Sequence, residues 1–467
     1  MPAHEIFDFA VIGGGSAGYA AASLAAGRGL NVAVVEGAKD VGGLCILRGC
    51  MPSKTLLATS AHAAAVRDAG KFGVKATFHG LDGAALQARK RFLIKDFADY
   101  RTGQLESGRF AFIRGFARFA DPHTLEVRGA DGTIETVRAR TFLIATGSRI
   151  FTPPIPGLTE MGYLDSDAFL ESEHLPESVS VLGGGAVALE AATYYAELGS
   201  RVTLLQRSGS ILKETDADVS SALTDGLRAL GVRVETNVTL LSCERTPSGK
   251  TIHYSQSGTP CSVTSSEVMC ALGRRPCTEG LRLEALGLAM RGAHIAVSAT
   301  QQTSLPHIFA AGDVCGPHEV VHIGIQQGEV AARNALRILN GETSGLESVD
   351  YSLKMFAVFS NPGVAVAGLS ESEARAAGIS IRSASYPFSD HGKSMVEGVG
   401  HGFVKLITEA ATGTILGAAV VGPSAAELIH EVVVAMHFKA RAADLATIPH
   451  YHPTLSEIWT YPAEELS

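Results

Sequence analysis

The chain has 467 residues, 46% of them hydrophobic and 18% charged, more than one core holds, which predicts a globular enzyme of two to three domains. Its 39 basic against 47 acidic residues and 6% aromatics argue against a nucleic-acid binder, which needs a cationic face and stacking rings. No apolar run reaches the roughly 20 residues of a membrane helix, the opening Met1-Pro2-Ala3-His4-Glu5-Ile6-Phe7-Asp8 has no signal-peptide pattern, and the 7 cysteines are an odd, scattered set, so a reducing cytoplasm is the expected location.

In chain order, residues 7–12 form a short apolar run that leads into Gly13-Gly14-Gly15-Ser16-Ala17-Gly18. An Ala-rich helical stretch over 19–28 follows, then a second apolar strand over 31–36 that ends in Glu36. Strand, Gly-x-Gly-x-x-Gly, helix, strand and acid, in that order, are a Rossmann dinucleotide unit. The glycines let the backbone approach a pyrophosphate on the helix N-terminus, and the acid accepts from ribose hydroxyls.

Next comes Gly42-Gly43-Leu44-Cys45-Ile46-Leu47-Arg48-Gly49-Cys50-Met51-Pro52-Ser53-Lys54. A thiol pair at this spacing, just after a dinucleotide fingerprint, suits the exchange of electron pairs between a flavin and a disulfide; spacing alone would also allow two buried structural cysteines. Pro52 fits an early helical position, and a helix start lowers a thiol's pKa.

An apolar strand over 141–147 precedes the Pro-rich stretch 148–157, which reads as a linker. The fingerprint then recurs: a strand over 179–182, Gly183-Gly184-Gly185-Ala186-Val187-Ala188-Leu189-Glu190, a helix to Gly199 and a strand over 201–205. Further apolar strands are expected over 268–273 and 308–313. From about residue 347 the texture changes to strands over 356–359, 364–367, 402–407 and 415–421 and a helix over 425–439, an α+β pattern. The predicted fold is α/β, with two Rossmann-like dinucleotide-binding domains and a C-terminal α+β domain, for which the family resemblance given below implies dimerisation. No metal site is expected, and His4 and His450 read as loop histidines.

Taken together, the two fingerprints, the redox stretch, Ala145-Thr146-Gly147, Gly273-Arg274-Arg275-Pro276, Ala311-Gly312-Asp313-Val314 and His452-Pro453-Thr454-Leu455-Ser456-Glu457 resemble the FAD-dependent pyridine nucleotide–disulfide oxidoreductases. Dihydrolipoamide dehydrogenase is the member most similar in overall pattern, and the likeness runs through the whole chain. It implies an FAD-binding domain over 1–150 that resumes over 277–346, an NAD(P)-binding domain over 151–276, and a dimer interface over 347–467. FAD would be held by Gly13, Gly15, Gly18, Glu36, Gly43, Lys54, Thr146 and Gly147, with Gly115 near the adenine and Asp313 and Val321 on the ribityl side. The nicotinamide nucleotide would lie on Gly183, Gly185, Ala188, Gln206, Arg207, Val238 and Gly273.

The same resemblance implies that Cys50 lies against the flavin and Cys45 faces the substrate. Lys54 and Glu190 would form an ion pair beside the flavin, although read alone they are a solvated lysine and a surface glutamate. Asp313, read alone, could equally be a helix N-cap. His452 would be the base, oriented by Glu457, and would complete the site of the other subunit of a homodimer. The implied reaction moves electrons between a dithiol, foremost a dihydrolipoyl group on a small molecule or carrier protein, and NAD(P). An NADPH-dependent reductase of glutathione- or mercuric-reductase type is an alternative, although no cysteine follows Cys315 to supply a C-terminal pair. A redox-sensing or non-catalytic flavoprotein is another.

The chain departs from the commonest lipoamide pattern at two places. Leu44 replaces a threonine, and Ile46-Leu47-Arg48 replace Leu-Asn-Val. Turned inward, Arg48 would stabilise a thiolate and raise the reduction potential; turned outward it is a solvated or substrate-facing cation. In the second fingerprint Ala188 replaces the third glycine, and Gln206-Arg207 stand where NAD enzymes carry an acid. That change removes repulsion against a 2′-phosphate, so either NAD or NADPH is expected.

Overall fold

Strand β1 (Ile6–Ile12) is buried from Phe9 to Ile12, as a central parallel strand covered on both faces must be. The structure is a computed structural model that describes residues 6–467; His4 lies outside the described residues. β1 leads into helix α1 (Ser16–Gly27), strand β2 (Val32–Glu36), the short helix α2 (Gly43–Arg48) and helices α3 (Cys50–Asp68) and α4 (Gly83–Leu105). Strands β3 (Ala111–Arg114), β4 (Phe116–Asp121), β5 (Thr124–Arg128) and β6 (Ile134–Ile144) follow.

The parallel core runs β3-β2-β1-β6. Strand β6 is long enough to serve two purposes. Its first half pairs antiparallel with β5, and its second half pairs parallel with β1 and with Ile308–Ala310.

The second nucleotide fold repeats this logic with four parallel strands in the order Arg233–Glu235, Arg201–Leu205, Ser178–Leu182 and Glu267–Cys270. The repeat extends to single hydrogen bonds. Gly13 N donates to Val35 O at 2.8 Å, and Gly183 N to Leu205 O at 3.0 Å. A three-stranded antiparallel sheet (Val238–Thr246, Gly249–Gln256, Thr259–Ser265) is inserted in the chain before the last strand of this fold, Glu267–Cys270. The C-terminal part is a five-stranded antiparallel sheet, including a strand at Ile381–Pro387, covered by the helix Ala425–His437. The fold is therefore α/β, with two Rossmann-like folds and an α+β closing part. Among the described residues no helix is long and apolar enough to cross a membrane.

By its internal contacts the chain forms two units. One holds the chain up to Ser53, Ala88–Phe151 and Gly273–Asp350; the other holds Lys54–Gln87, Thr152–Leu272 and Tyr351–Ser467. In the first, the Pro-rich stretch opens as a strand: Ser148–Ile150 pairs antiparallel with Arg274–Pro276. In the second, Lys405 is buried among three carboxylates, 2.9 Å from Asp216, 2.8 Å from Asp218 and 3.4 Å from Glu371. Burial pushes Asp216 up, but the Lys405 ammonium and backbone N–H groups more than reverse this and hold it below the usual carboxylate range. Its contribution to stability is therefore present at neutral pH and is lost as pH falls through the depressed value. Lys405→Met is expected to destabilise the protein by about 3–5 kcal/mol, since it strands buried charge. An unchanged denaturant midpoint would reject that assignment.

Candidate active site

In the first unit the Gly13–Gly18 turn leaves no room for side chains. A Cβ at Gly18 would stand 1.9 Å from Gly13 O. Helix α1 starts there with neither a side-chain cap nor an acid in its first turn, so its leading N–H groups are left for an anion. Gly43, with φ +67°, packs against Gly15 so closely that a Cβ would lie 2.7 Å from Gly15 Cα. This bare backbone cradle fits a dinucleotide pyrophosphate. Glu36, at the end of β2, accepts from Gly14 N at 2.9 Å and Ala38 N at 2.8 Å, and Gly115 N donates to Glu36 O at 2.9 Å. Gly13, Gly15, Gly18, Glu36, Gly43 and Gly115 thus converge.

A second group lies where the Ser148–Ile150 and Arg274–Pro276 strands meet. Thr146 Oγ1 donates to Cys277 O at 2.6 Å, Cys277 N to Gly147 O at 2.9 Å, and Phe151 N to Gly273 O at 3.1 Å. Asp313 accepts from Ser148 Oγ at 2.6 Å, and Ser148 Oγ accepts from Arg274 Nε at 2.8 Å. Asp313 sits inside the single turn Gly312–Val314, whose N-cap is Ala311, so the N-cap alternative falls away. Val321 opens the helix Val321–Leu339 without a side-chain cap. Glu319, which the motifs did not mark, is pushed up by burial and by the charge of Asp313, and its carboxylate lies 3.6 Å from His294 Nε2.

Cys45 lies within α2, and Cys50 opens α3; both are half-buried. Ser53 N donates to Gly49 O at 3.1 Å, and Ser53 Oγ to Cys50 O at 3.2 Å, which stitches the turn between the two helices to the start of α3. Arg48 is exposed in the last turn of α2, in keeping with the outward orientation. Another arginine is the inward one: Arg101 of α4 lies 4.0 Å over the Tyr19 ring, with Nε and Nη1 buried and unbonded. Burial holds Arg101 below the ordinary guanidinium value, against the opposing charges of Tyr19 and Cys45. Nothing in the sequence marked it, because a lone arginine on a polar helix carries no motif. Four of the other five thiols are sheltered. Burial raises Cys243 and Cys277, and lifts Cys270 to about 11 and Cys315 to about 12.

In the second unit Lys54 Nζ reaches both oxygens of Glu190, at 2.9 and 3.0 Å, and lies 4.5 Å over the Phe359 ring. Glu190 is buried on the helix Ala186–Leu198 and also accepts from Phe359 N at 3.1 Å. The pair is built in, not a solvated lysine and a surface acid. Gly183 and Gly185 lead into that helix, which has no side-chain cap and no acid in its first turn, and Ala188 is fully buried. This second cradle fits a dinucleotide as the first does. Gln206 spends its amide on Ser208 Oγ at 2.5 Å and Ser210 O at 3.2 Å, while Arg207 beside it is exposed. Val238 N donates to Gln206 O at 3.0 Å.

His452 Nδ1 lies 2.9 Å from Glu457 Oε2, and the imidazole is 79% exposed. Glu457 belongs to the single turn Ser456–Trp459, which Trp459 anchors by full burial and by donating to Leu428 O at 3.1 Å. His450 lies in a loop, as expected, and is held there by two contacts. Its Nε2 lies 2.6 Å from Glu431 of the helix Ala425–His437, and its Nδ1 2.8 Å from Ile448 O, so it pins the segment leading to His452.

Residues 7–332 match the family model for pyridine nucleotide-disulphide oxidoreductases, and residues 356–463 match the dimerisation domain of the same family. The chain is 36% identical to a dihydrolipoyl dehydrogenase of Thermus scotoductus over 99% of its own length and 98% of that protein's. Among solved structures, LpdA from Mycobacterium tuberculosis superposes with a TM-score of 0.87 at 28% identity, covering 98% of this chain and 99% of the other. The HOCl-induced flavoprotein disulfide reductase RclA from Escherichia coli gives 0.84 at 26% identity, covering 98% and 99%. A bare-backbone cradle for each of two dinucleotides, a thiol pair beside the first and an exposed imidazole held by a carboxylate accord with these matches: the chain belongs to the pyridine nucleotide–disulfide oxidoreductases, the FAD- and NAD(P)-using flavoprotein enzymes that include dihydrolipoamide dehydrogenase.

Proposed function

We propose that this enzyme oxidises a dihydrolipoyl-type dithiol, on a small molecule or a carrier protein, and passes the electron pair to NAD(P), as a homodimer in the cytoplasm. The observation that carries the reading is the pairing of His452 with Glu457 at 2.9 Å in a chain that also holds the Cys45–Cys50 stretch. In this reading residues 1–150 and 277–346 hold FAD, 151–276 the nicotinamide nucleotide, and 347–467 join two copies. Gly13, Gly15, Gly18, Glu36, Gly43, Gly115, Thr146, Gly147, Asp313 and Val321 line the flavin site, and Gly273 belongs to the nicotinamide-nucleotide part.

FAD, when bound, supplies a two-electron acceptor next to Cys50. The protein's own residues do the rest. His452 of one copy takes a proton from a substrate thiol bound to the other. The resulting thiolate attacks Cys45 Sγ of the oxidised Cys45–Cys50 disulfide, forming a mixed disulfide and releasing Cys50 as a thiolate. The second substrate thiol, deprotonated in turn, attacks the substrate sulfur of that bond and releases Cys45 as a thiolate. The substrate leaves as its disulfide, and the cysteine pair holds the electrons. Lys54, fixed by Glu190, offers a cation where negative charge builds beside the flavin.

Gln206 and Arg207 leave space and charge for a 2′-phosphate, so NADPH is accepted alongside NADH. Anaerobic stopped-flow of the FAD-loaded enzyme with dihydrolipoamide, NADH and NADPH in turn tests both statements. Dihydrolipoamide should give a reduced, charge-transfer-coloured enzyme within the turnover time; failure to do so rejects the dithiol assignment. A reaction with NADH more than about a hundredfold faster than with NADPH rejects the Gln206–Arg207 argument.

A further inference from the structure

Glu457 has two oxygens, and an imidazole stands at each. Oε2 lies 2.9 Å from His452 Nδ1, and Oε1 lies 3.3 Å from His391 Nε2. The two histidines could hardly differ more in setting, since the His452 side chain is 79% exposed and that of His391 0%. His391 comes from the junction between the single turn Phe388–Asp390 and the short helix Gly392–Val396, and its Nδ1 lies 2.8 Å from Ser394 Oγ. Its Nε2 is buried and, among the described residues, makes no hydrogen bond, the approach to Glu457 Oε1 being out of line.

The ionisable side chains against His391 are Glu457 and Tyr461, whose ring meets it edge-on at 6.2 Å. The charged neighbours on its own segment are engaged elsewhere. Asp390 accepts from Tyr386 Oη at 2.9 Å, and Lys393 pairs with Glu397 at 3.0 Å.

We propose that His391 is a positioning residue for His452, acting through Glu457. Ser394 Oγ–H donates to Nδ1, which sets the tautomer that presents Nε2–H to Glu457 Oε1. At 3.3 Å the Nε2–H attracts Oε1 electrostatically although it is out of line for a hydrogen bond, and this favours the rotation of the carboxylate that keeps Oε2 on His452. The carboxylate's charge thus faces two imidazoles, and removing His391 leaves it to His452 alone. A buried imidazole in this place is otherwise a cost, because a polar ring without partners loses its hydration. The proposal rests on the reading of His452 as the base.

The test uses the FAD-loaded dimer and three substitutions. His391→Leu removes the donor. His391→Gln restores an amide nitrogen near the place of Nε2. Ser394→Ala keeps the imidazole but frees its tautomer. Dihydrolipoamide oxidation measured against pH should show kcat about tenfold lower in His391→Leu, with the acid limb of kcat/KM moved up by about one pH unit and KM within about twofold. His391→Gln should return to within about threefold of the parent enzyme, and Ser394→Ala should move the limb in the same direction by less.

Flavin reduction by NADH, which does not use the base, should be the same in all. A parent-like pH profile in both His391→Leu and Ser394→Ala, or His391→Gln no better than His391→Leu, overturns the proposal. Loss of NADH reduction in parallel with dithiol turnover overturns it too, since that marks a purely structural role. If instead His452→Asn keeps full dithiol turnover, it is the assignment of the base that fails.

Discussion

Cys50→Ser should leave a folded, flavin-binding enzyme that NADH still reduces but that no longer exchanges electrons with a dithiol. The loss should be at least about a thousandfold, the scale seen when a nucleophile is removed from a catalytic unit. The hydroxyl cannot form the sulfur–sulfur bond that stores the electron pair. It can, however, take the thiol's place without unravelling α3, because the turn is held by Ser53 N on Gly49 O and by Ser53 Oγ on the carbonyl of residue 50. Turnover of an artificial acceptor that takes electrons directly from the flavin should survive. Dithiol turnover within tenfold of the parent would remove the pair from the mechanism.

The second large effect is expected at His452. In His452→Asn the amide nitrogen stands about where Nδ1 stood, so the contact with Glu457 is kept while the base is lost. A fall of about 10²–10⁴ in dithiol turnover follows, with NADH reduction of the flavin unaffected. The arrangement of the dimer can be read from the same variant. When Cys50→Ser and His452→Asn homodimers are mixed and exchange subunits, the mixed dimers contain one complete site if each site takes its cysteines from one copy and its histidine from the other. Activity should then recover to about a quarter of the parent value, from random pairing of equal amounts. No recovery on verified subunit exchange would place the base and the thiols of one site in a single chain.

Legibility in the sequence followed the strength of local constraint. The two glycine turns were readable because a Cβ at Gly18 collides with Gly13 O at 1.9 Å, a geometry that few sequences satisfy. The central strands were readable because burial on both faces demands unbroken apolar runs. The three-stranded sheet between Val238 and Ser265 was not, since its strands are short-range antiparallel neighbours with one solvated face, and their polar positions blur into turn composition. The stretch 148–157 read as a linker because of its prolines. Its first three residues are nonetheless a strand, and its partner Arg274–Pro276 lies far along the chain.

Side-chain partnerships divide along the same line. Lys54 with Glu190 and His452 with Glu457 were expected from the family likeness, and both pairs meet. Lys405 with Asp216 and Asp218, Arg101 over Tyr19, and His391 on Glu457 join residues from separate elements with no fixed spacing, so only the folded chain brings them into view.

The burial of Cys243, Cys270, Cys277 and Cys315 has a consequence for the protein's life among oxidants and electrophiles. A thiol kept protonated is a poor nucleophile, and these four are held that way by their surroundings. Oxidation by peroxide is thereby slowed at these four sulfurs, which leaves a larger share of it to a pair whose disulfide incoming reducing equivalents reopen.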